Sequence, residues 1–432
     1  MKSELLKSWL TLLGLQALAF VLVFSDFLSG KFYFAYIDIG SDSYKQVAPY
    51  AMYMARTMVS EGFPGWSFQL GLGGPTTAMM GDVASLLGPS IGIENILPAR
   101  IYIYLLKIAV GGAFFMLFIR RYVQCWQSAA VSALAYSFCG FMVINGQWDI
   151  EATAFVFYPL VLWAIVRQQR NGGLIELPLA IAIALLFGTF FVSLGVFLLL
   201  TCAAFIACSD TPKTALHTWV SKILPLCALG YLLAAPYLLP VVLQLMDSSR
   251  VSGGQSLIQG ILSKSLTVTD WALIASQIGG IFHKDIFGVG SEYKGYFNYL
   301  EGPGFYIGVA LLILIPHVWG GSRTDRRALV VAGLAFVAYM LFPVFRFAAM
   351  GFAAPYFRIS TLWVSIVGLM LAARALDLVF LEGVKLRLLG VGFALFVALL
   401  TVAVVAAAPD TIWMPHVVRL VELALLCGAV LV

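Results

Sequence analysis

The chain has 432 residues, of which 61% are apolar and only 11% charged, and its mean hydropathy is +0.95. That excludes an ordinary soluble globule, whose composition carries about a quarter charged residues. The formal charge of +5 does not point to nucleic acid, because Lys and Arg stand singly or in pairs between apolar runs instead of forming a dense basic stripe.

Lys2 and Lys7 precede an apolar stretch from Trp9 to Phe27. At about 20 residues it fits a membrane span better than a cleavable signal core, and no clear A-x-A site follows, so it reads as an uncleaved first helix. Including this one, runs of spanning length lie near residues 8–28, 99–119, 128–145, 152–166, 174–188, 190–208, 218–243, 303–319, 328–344, 359–376, 388–408 and 412–432. Together they predict twelve crossings. Between Ile175 and Cys208 the only polar break is Phe187-Gly188-Thr189, which leaves either two short helices meeting at a turn or one long bent helix.

Basic residues orient these spans. With the amino terminus inside, the connections due in the cytoplasm carry Lys2/Lys7, Arg120/Arg121, Arg167/Arg170, Lys213/Lys222, Arg323/Arg326/Arg327 and Arg374/Lys385/Arg387. Each is basic, as the positive-inside rule requires, and the alternation survives only if the stretch from Ile175 to Cys208 crosses twice. The opposite connections include two long loops, 29–98 and 246–302, and a short turn from Asn145 to Glu151 with two acids and no base. The expected architecture is an all-α polytopic membrane protein, one transmembrane domain over 1–432 with about 12 helices and its large hydrophilic loops away from the cytoplasm. All six cysteines fall in apolar runs or beside short basic connections, so no disulfide framework or CxxC metal site is implied. No internal repeat is visible. The chain stops at Val432 without a flanking charge, which fits either a short natural end or a piece of a longer protein.

The first long loop carries Asp38, Asp42, Gln46, Pro49 and Tyr50. From Asp42 onward, Val47, Tyr50, Ala51, Met54 and Met58 recur at helical spacing, which predicts a helix lying in the membrane interface. Asp42 and Gln46 are four apart and adjacent on that helix. A glycine-rich stretch from Glu61 to Pro75 lacks the spacing of a phosphate-binding loop and reads as close backbone packing. The second long loop contributes Asp270, His283, Lys284, Asp285, Lys294 and Glu301, and beyond it Arg346 and Arg358 fall at the same outer face.

An acid after the first span, an acidic turn after the third and cations after the ninth thus gather at one interface. Such a cavity suits transfer of a sugar from a lipid phosphate, which needs a base for the attacking hydroxyl and cations for the departing phosphate. Asp42 or Asp38 would be the base. Arg358, Arg346, Lys284 or Lys294 would hold the phosphate, arginine giving the bidentate grip, with Gln46 and Tyr50 as further substrate contacts. Asp149 and Glu151 form a second acidic motif, and a divalent metal, if one is used, would fall to Asp42 and Asp149. Each residue also has a plainer role. Asp42 can cap the interfacial helix, Asp149 and Glu151 can be solvated turn residues, and Arg358 can snorkel at the head of a span. His283 has no second histidine at ligand spacing. Arg419 and Glu422 are three apart and can neutralise each other, whereas Lys107 sits inside a span with no local partner, a costly placement unless it lines a cavity.

The order Asp-x-x-x-Gln-x-x-Pro (Asp42, Gln46, Pro49), Gly-x-Pro-x-Trp (Gly62, Pro64, Trp66), Gly-x-Gly-Gly (Gly71, Gly73, Gly74) and Pro-x-x-Arg (Pro355, Arg358) resembles the YfhO-like bacterial membrane proteins. These are similar to the C-type (GT-C fold) glycosyltransferases, multi-spanning enzymes that use polyprenyl-phosphate sugars. The resemblance implies a GT-C-like fold in the bacterial cytoplasmic membrane, an active site facing the periplasm or exterior, a first-loop aspartate as base and a second acidic motif at Asp149 and Glu151. It also implies a polyprenyl-phosphate-linked sugar donor, a lipid or glycan acceptor of the envelope, and no nucleic acid. Two features depart from it: many relatives are longer, and the Asp-Glu dipeptide of some C-type transferases is missing, which leaves Asp38 and Asp42 both open. The rival functions are a transporter or flippase of lipid-linked saccharides and a non-catalytic membrane subunit. Transporters usually show repeated halves and midplane charges, whereas here the ionisable residues gather in the outer loops.

Overall fold

The computed structural model describes residues 2–35, 43–62, 65–68, 73–75, 87–88, 90–146, 148–188, 190–246, 268–296, 298–352, 356–406 and 412–431. Asp38, Asp42 and Pro355 lie outside them, as does the Gln46 side chain. The apolar runs fold as helices because a segment in lipid must satisfy its backbone polar groups internally. Helix α1 (Lys2–Leu28) leads to a π turn (Ser43–Val47) and α2 (Ala48–Glu61), the predicted interfacial helix. Trp66–Ser67 then pairs antiparallel with Gly74–Pro75. Next come α3 (Ile96–Ile119), α4 (Trp126–Ser137), α5 (Gly140–Asn145) and α6 (Asp149–Asn171). After α7 (Glu176–Leu186) and α8 (Phe191–Cys208), α9 (Pro212–Thr218) runs through a π turn into α10 (Leu224–Met246). The second half has α11 (Trp271–Phe282), α12 (Val309–Leu314), α13 (Arg323–Leu341), α14 (Val344–Ala349), α15 (Arg358–Glu382), α16 (Leu386–Ala406) and α17 (Met414–Leu431).

Among the described residues nine helical stretches are long and apolar enough to cross a membrane, so the chain is an all-α, multi-pass membrane protein. The other predicted spans take different forms. Helix α7 has 11 residues, about 17 Å at 1.5 Å per residue and short of a roughly 30 Å hydrocarbon core; the stretch from Ile175 to Cys208 is two helices, of which α8 alone has the length of a crossing. The predicted span 303–319 is α12 prolonged by a 3-10 turn, Ile315–Gly320. The predicted span 328–344 starts earlier, at a capping box in which Ser322 and Asp325 satisfy each other's backbone N–H. The predicted loop 246–302 contains the apolar helix α11, whose Leu273, Ile278 and Phe282 are buried, and which is too short to register as a span.

Predicted span 128–145 is broken into α4 and α5 at Phe138 and Cys139. Gly140 N–H donates to the Tyr306 carbonyl at 2.8 Å, and a Cβ on Gly140 would lie 2.8 Å from the Gly304 carbonyl oxygen. The 304–306 backbone therefore runs against the helix break, where only glycine admits it.

The core lies where α3 packs along α4 and α6. Tyr136 is sandwiched between Phe115 and Phe155, each ring pair 4.4 Å apart and nearly parallel, and its hydroxyl donates to the Phe155 carbonyl at 2.6 Å. Gly111 lets the Phe155 ring lie directly against α3, since a Cβ there would collide with it. Gln16 of α1 reaches this core and donates to Ser137 Oγ at 2.8 Å. At one end of the bundle, fully buried Asp377 accepts the N–H groups of Gln124 and Cys125 at 2.9 and 2.7 Å. Arg374 bridges Asp377 (2.8 Å) to Asp325 (3.1 Å), tying the α3–α4 connection to α13 and α15. The acidic turn and Arg358 stand at the opposite end.

Candidate functional site

At that opposite end the short turn after α5 sets Trp148 as the N-cap of α6 and places Asp149 and Glu151 in its first turn, where carboxylates suit the helix dipole. Two cations of α3 converge on Asp149. Arg100 Nη1 is 3.7 Å and Lys107 Nζ 3.8 Å from its carboxylate oxygens, and Lys107 also donates to the Asp149 carbonyl at 3.3 Å. Seven residues apart, they share one face of the helix. Both are nearly buried, with 7% and 5% of their surface exposed, and Arg100 Nε finds no hydrogen-bond partner.

These groups line a small cleft together with Phe34, Ile103, Tyr104 and Gly146. The Phe34 and Tyr104 rings lie 4.5 Å apart, and Tyr104 stands between Arg100 and Lys107 on the same face of α3, so ring and cations share one wall. Arg100 and Lys107 against Asp149 leave these three groups one positive charge in excess.

Beside the cleft, Arg358, the first residue of α15, is held by carboxylates from two directions. Its Nε and Nη2 grip Glu301 in a bidentate pair, Nε at 2.8 Å, and Nη1 is 3.6 Å from Glu151. The guanidinium carbon lies 3.9 Å from the Trp148 ring centroid and 5.0 Å from that of Tyr356, a stacked, hydrogen-bonded arrangement that fixes its plane. The acidic turn and Arg358 thus stand together at one end of the bundle; Asp42, expected at the same face, lies outside the described residues.

The other predicted cations stand elsewhere. Lys284 is buried, donates to the Gly302 carbonyl at 3.1 Å and lies over the rings of Tyr299 and Tyr293, so it holds the second loop together. Lys294 is exposed on that loop. Arg346 is 2% exposed, lies 4.6 Å over the Phe357 ring, and has Nε and Nη1 without hydrogen-bond partners. Tyr50 is half-buried on α2, its ring 6.1 Å from Tyr53, and burial, reinforced by Tyr53 and Tyr237, pushes its phenol up from the ordinary range. Among the described residues no group of three His, Cys, Asp or Glu side chains is placed to hold a metal ion.

His283 has a neighbour that spacing did not reveal. It stacks parallel on His416 of α17 at 5.8 Å, with Asp285 3.6 Å from its Nδ1. Burial pulls this imidazole below its ordinary value; Asp285 opposes the shift and His416 adds to it. Of the site residues, Arg100 and Glu301 were missed as candidates. The one available signal for the first was the pair Arg100 and Lys107 on one face of an otherwise apolar span.

Residues 18–432 match the family model described as "Bacterial membrane protein YfhO". No curated protein and no solved structure matches the chain.

Proposed function

The chain belongs to the YfhO family of bacterial membrane proteins, and from that premise we propose that it is a C-type membrane glycosyltransferase. It moves a sugar from a polyprenyl-phosphate donor to a cell-envelope acceptor, working on the outer side of the cytoplasmic membrane with its amino terminus inside. The observation that carries this reading is the convergence of Arg100 and Lys107 on Asp149 beside an aromatic-walled cleft. Buried cations with a surplus positive charge fit a phosphate, and the rings of Phe34 and Tyr104 fit a sugar or the start of a lipid chain.

In the proposed reaction a first-loop carboxylate, Asp42 or Asp38, takes the proton of the acceptor hydroxyl. The acceptor oxygen bonds to the sugar's anomeric carbon, and the bond from that carbon to the phosphate oxygen breaks, its electron pair leaving with polyprenyl phosphate. Arg100 and Lys107 neutralise the charge that grows on that phosphate, and Asp149 offsets one of their two charges while the cleft holds no phosphate. Arg358 is braced by Glu301 and Glu151 and orders Trp148 at the rim.

The test is transfer of labelled sugar from a polyprenyl-phosphate donor by purified protein. Loss of the base in Asp42→Asn or Asp38→Asn is expected to slow transfer about 100- to 10,000-fold, and Arg100→Gln about 100-fold or more. Full transfer by both aspartate variants would remove the base assignment. Movement of donor across the bilayer without transfer would replace the enzyme by a transporter.

A further inference from the structure

Arg346 is a buried cation that the proposed transfer does not use. It is carried by α14, the six-residue helix after Pro343, and is the largest side chain among those almost fully buried. Its guanidinium lies over Phe357, yet Nε and Nη1 have no hydrogen-bond partner, and among the described residues no carboxylate stands within ion-pair distance. Asp270 is within its electrostatic reach, but Asp270 Oδ1 is engaged as the N-cap of α11, accepting the Leu273 N–H at 2.8 Å. A guanidinium in such surroundings is costly unless a bound anion meets it.

More unmet polar atoms ring the same turn between α13 and α14. Thr269 donates its backbone N–H to the Leu341 carbonyl at 2.8 Å, and Gln277 donates Nε2 to the Met340 carbonyl at 3.2 Å. The Thr269 Oγ1 and Gln277 Oε1 atoms are buried without partners. Arg346 and Thr269 thus carry unused donors near this turn, whereas Gln277 Oε1 can only accept and does not meet an anion.

The surroundings are aromatic and apolar. Phe305, Tyr339 and Phe357 form an aromatic cluster separate from the main core, with Phe336 and Phe345 against it. Next to Thr269 and Asp270, Val268 and Trp271 are 66% and 60% exposed, and tryptophan is enriched at the headgroup level of membranes. On α13, Leu334 and Val337 also face outward. None of these residues lines the Arg100–Lys107 cleft.

We propose that Arg346, with Thr269, forms a second anion site that takes the phosphate of a membrane lipid beside α11, α13 and α14. The guanidinium fork grips two phosphate oxygens and the hydroxyl of Thr269 donates to a third. Binding is read without turnover, so failure of this site and failure of the transfer reading are separate results.

The experiment titrates delipidated, detergent-purified full chain with phosphatidylglycerol, with polyprenyl phosphate and with inorganic phosphate, following bound lipid by native mass spectrometry and melting temperature. Either lipid is expected to bind and raise the melting temperature. Arg346→Met is expected to weaken that binding at least tenfold, Arg346→Lys less, and Arg323→Gln at the opposite end of the bundle not at all. Without lipid, Arg346→Met is expected to melt no lower than the native chain, because it removes an unpaired buried charge. Lipid binding by Arg346→Met within twofold of native would overturn the proposal, as would a marked loss of lipid-free stability in that variant, which would mean that the protein itself satisfies the guanidinium. Binding of inorganic phosphate alone would overturn the lipid assignment.

Discussion

Replacing Asp149 by Asn is expected to move stability and anion affinity in opposite directions. Its carboxylate stands 3.7 Å from Arg100 and 3.8 Å from Lys107, so each contact carries about 4 kcal/mol of raw attraction at an effective dielectric of about 20. Desolvation of the three groups takes back much of that sum. Removal of one partner from a buried ionic cluster then leaves a net loss of about 3–5 kcal/mol. The surplus of these three groups meanwhile rises from one positive charge to two, so polyprenyl phosphate is expected to bind at least tenfold more tightly, about 1.4 kcal/mol. Melting temperature and a polyprenyl-phosphate titration in the same detergent read both quantities. Adding Arg100→Gln to Asp149→Asn should return part of each. Weaker phosphate binding by Asp149→Asn than by the native chain would refute the assignment of Arg100 and Lys107 as the phosphate-facing cations.

Three further outcomes follow from other parts of the structure. Asp377→Ala leaves the N–H groups of Gln124 and Cys125 without their acceptor and Arg374 held by Asp325 alone; a loss of about 1–3 kcal/mol is expected for each donor left unsatisfied, and a total loss under about 1 kcal/mol by denaturant titration would count against that network. Gly111→Ala forces the Phe155 ring off α3, and overpacking of this kind costs about 1–3 kcal/mol, readable as a lower melting temperature. The native pKa of His283 is depressed, so below about 6.5, its ordinary unfolded value, the unfolded chain takes up a proton that the folded chain resists. Stability from this site is therefore complete above that pH and falls as the medium becomes more acid. His283→Gln should flatten the melting temperature between about pH 6.5 and 5, and an unchanged slope would show that His283 does not set it.

The sequence revealed the parts of this molecule that local pattern controls. Basic pairs such as Arg120/Arg121 and Arg167/Arg170 fixed the alternation of connections, and that alternation correctly divided the stretch from Ile175 to Cys208. It also brought Asp149, Glu151 and Arg358 to one end, where Arg358 stands 3.6 Å from Glu151. Contacts between distant segments left no such trace. Glu301 looked like one acid among several in a long loop, and only the fold sets it 57 positions before its partner Arg358. Lys107 was conspicuous as a charge in a span, but its partner comes 42 residues later. The break at Phe138 adjoins the bond from Gly140 N–H to the Tyr306 carbonyl, which hydropathy cannot register, and α11 escaped because its 12 residues are too few for a crossing.

The central claim is that sugar leaves a lipid phosphate at the end of the bundle that bears Trp148, Asp149 and Arg358. Its most direct measurement uses proteoliposomes of known protein orientation, with labelled polyprenyl-phosphate sugar confined to one leaflet and acceptor supplied on the same side. Transfer is expected only when the donor occupies the leaflet at that end, opposite the Arg374–Asp377 network, and it should fall at least 100-fold in Arg100→Gln. Transfer from the other leaflet, or none from either with donor demonstrably bound, would contradict the account.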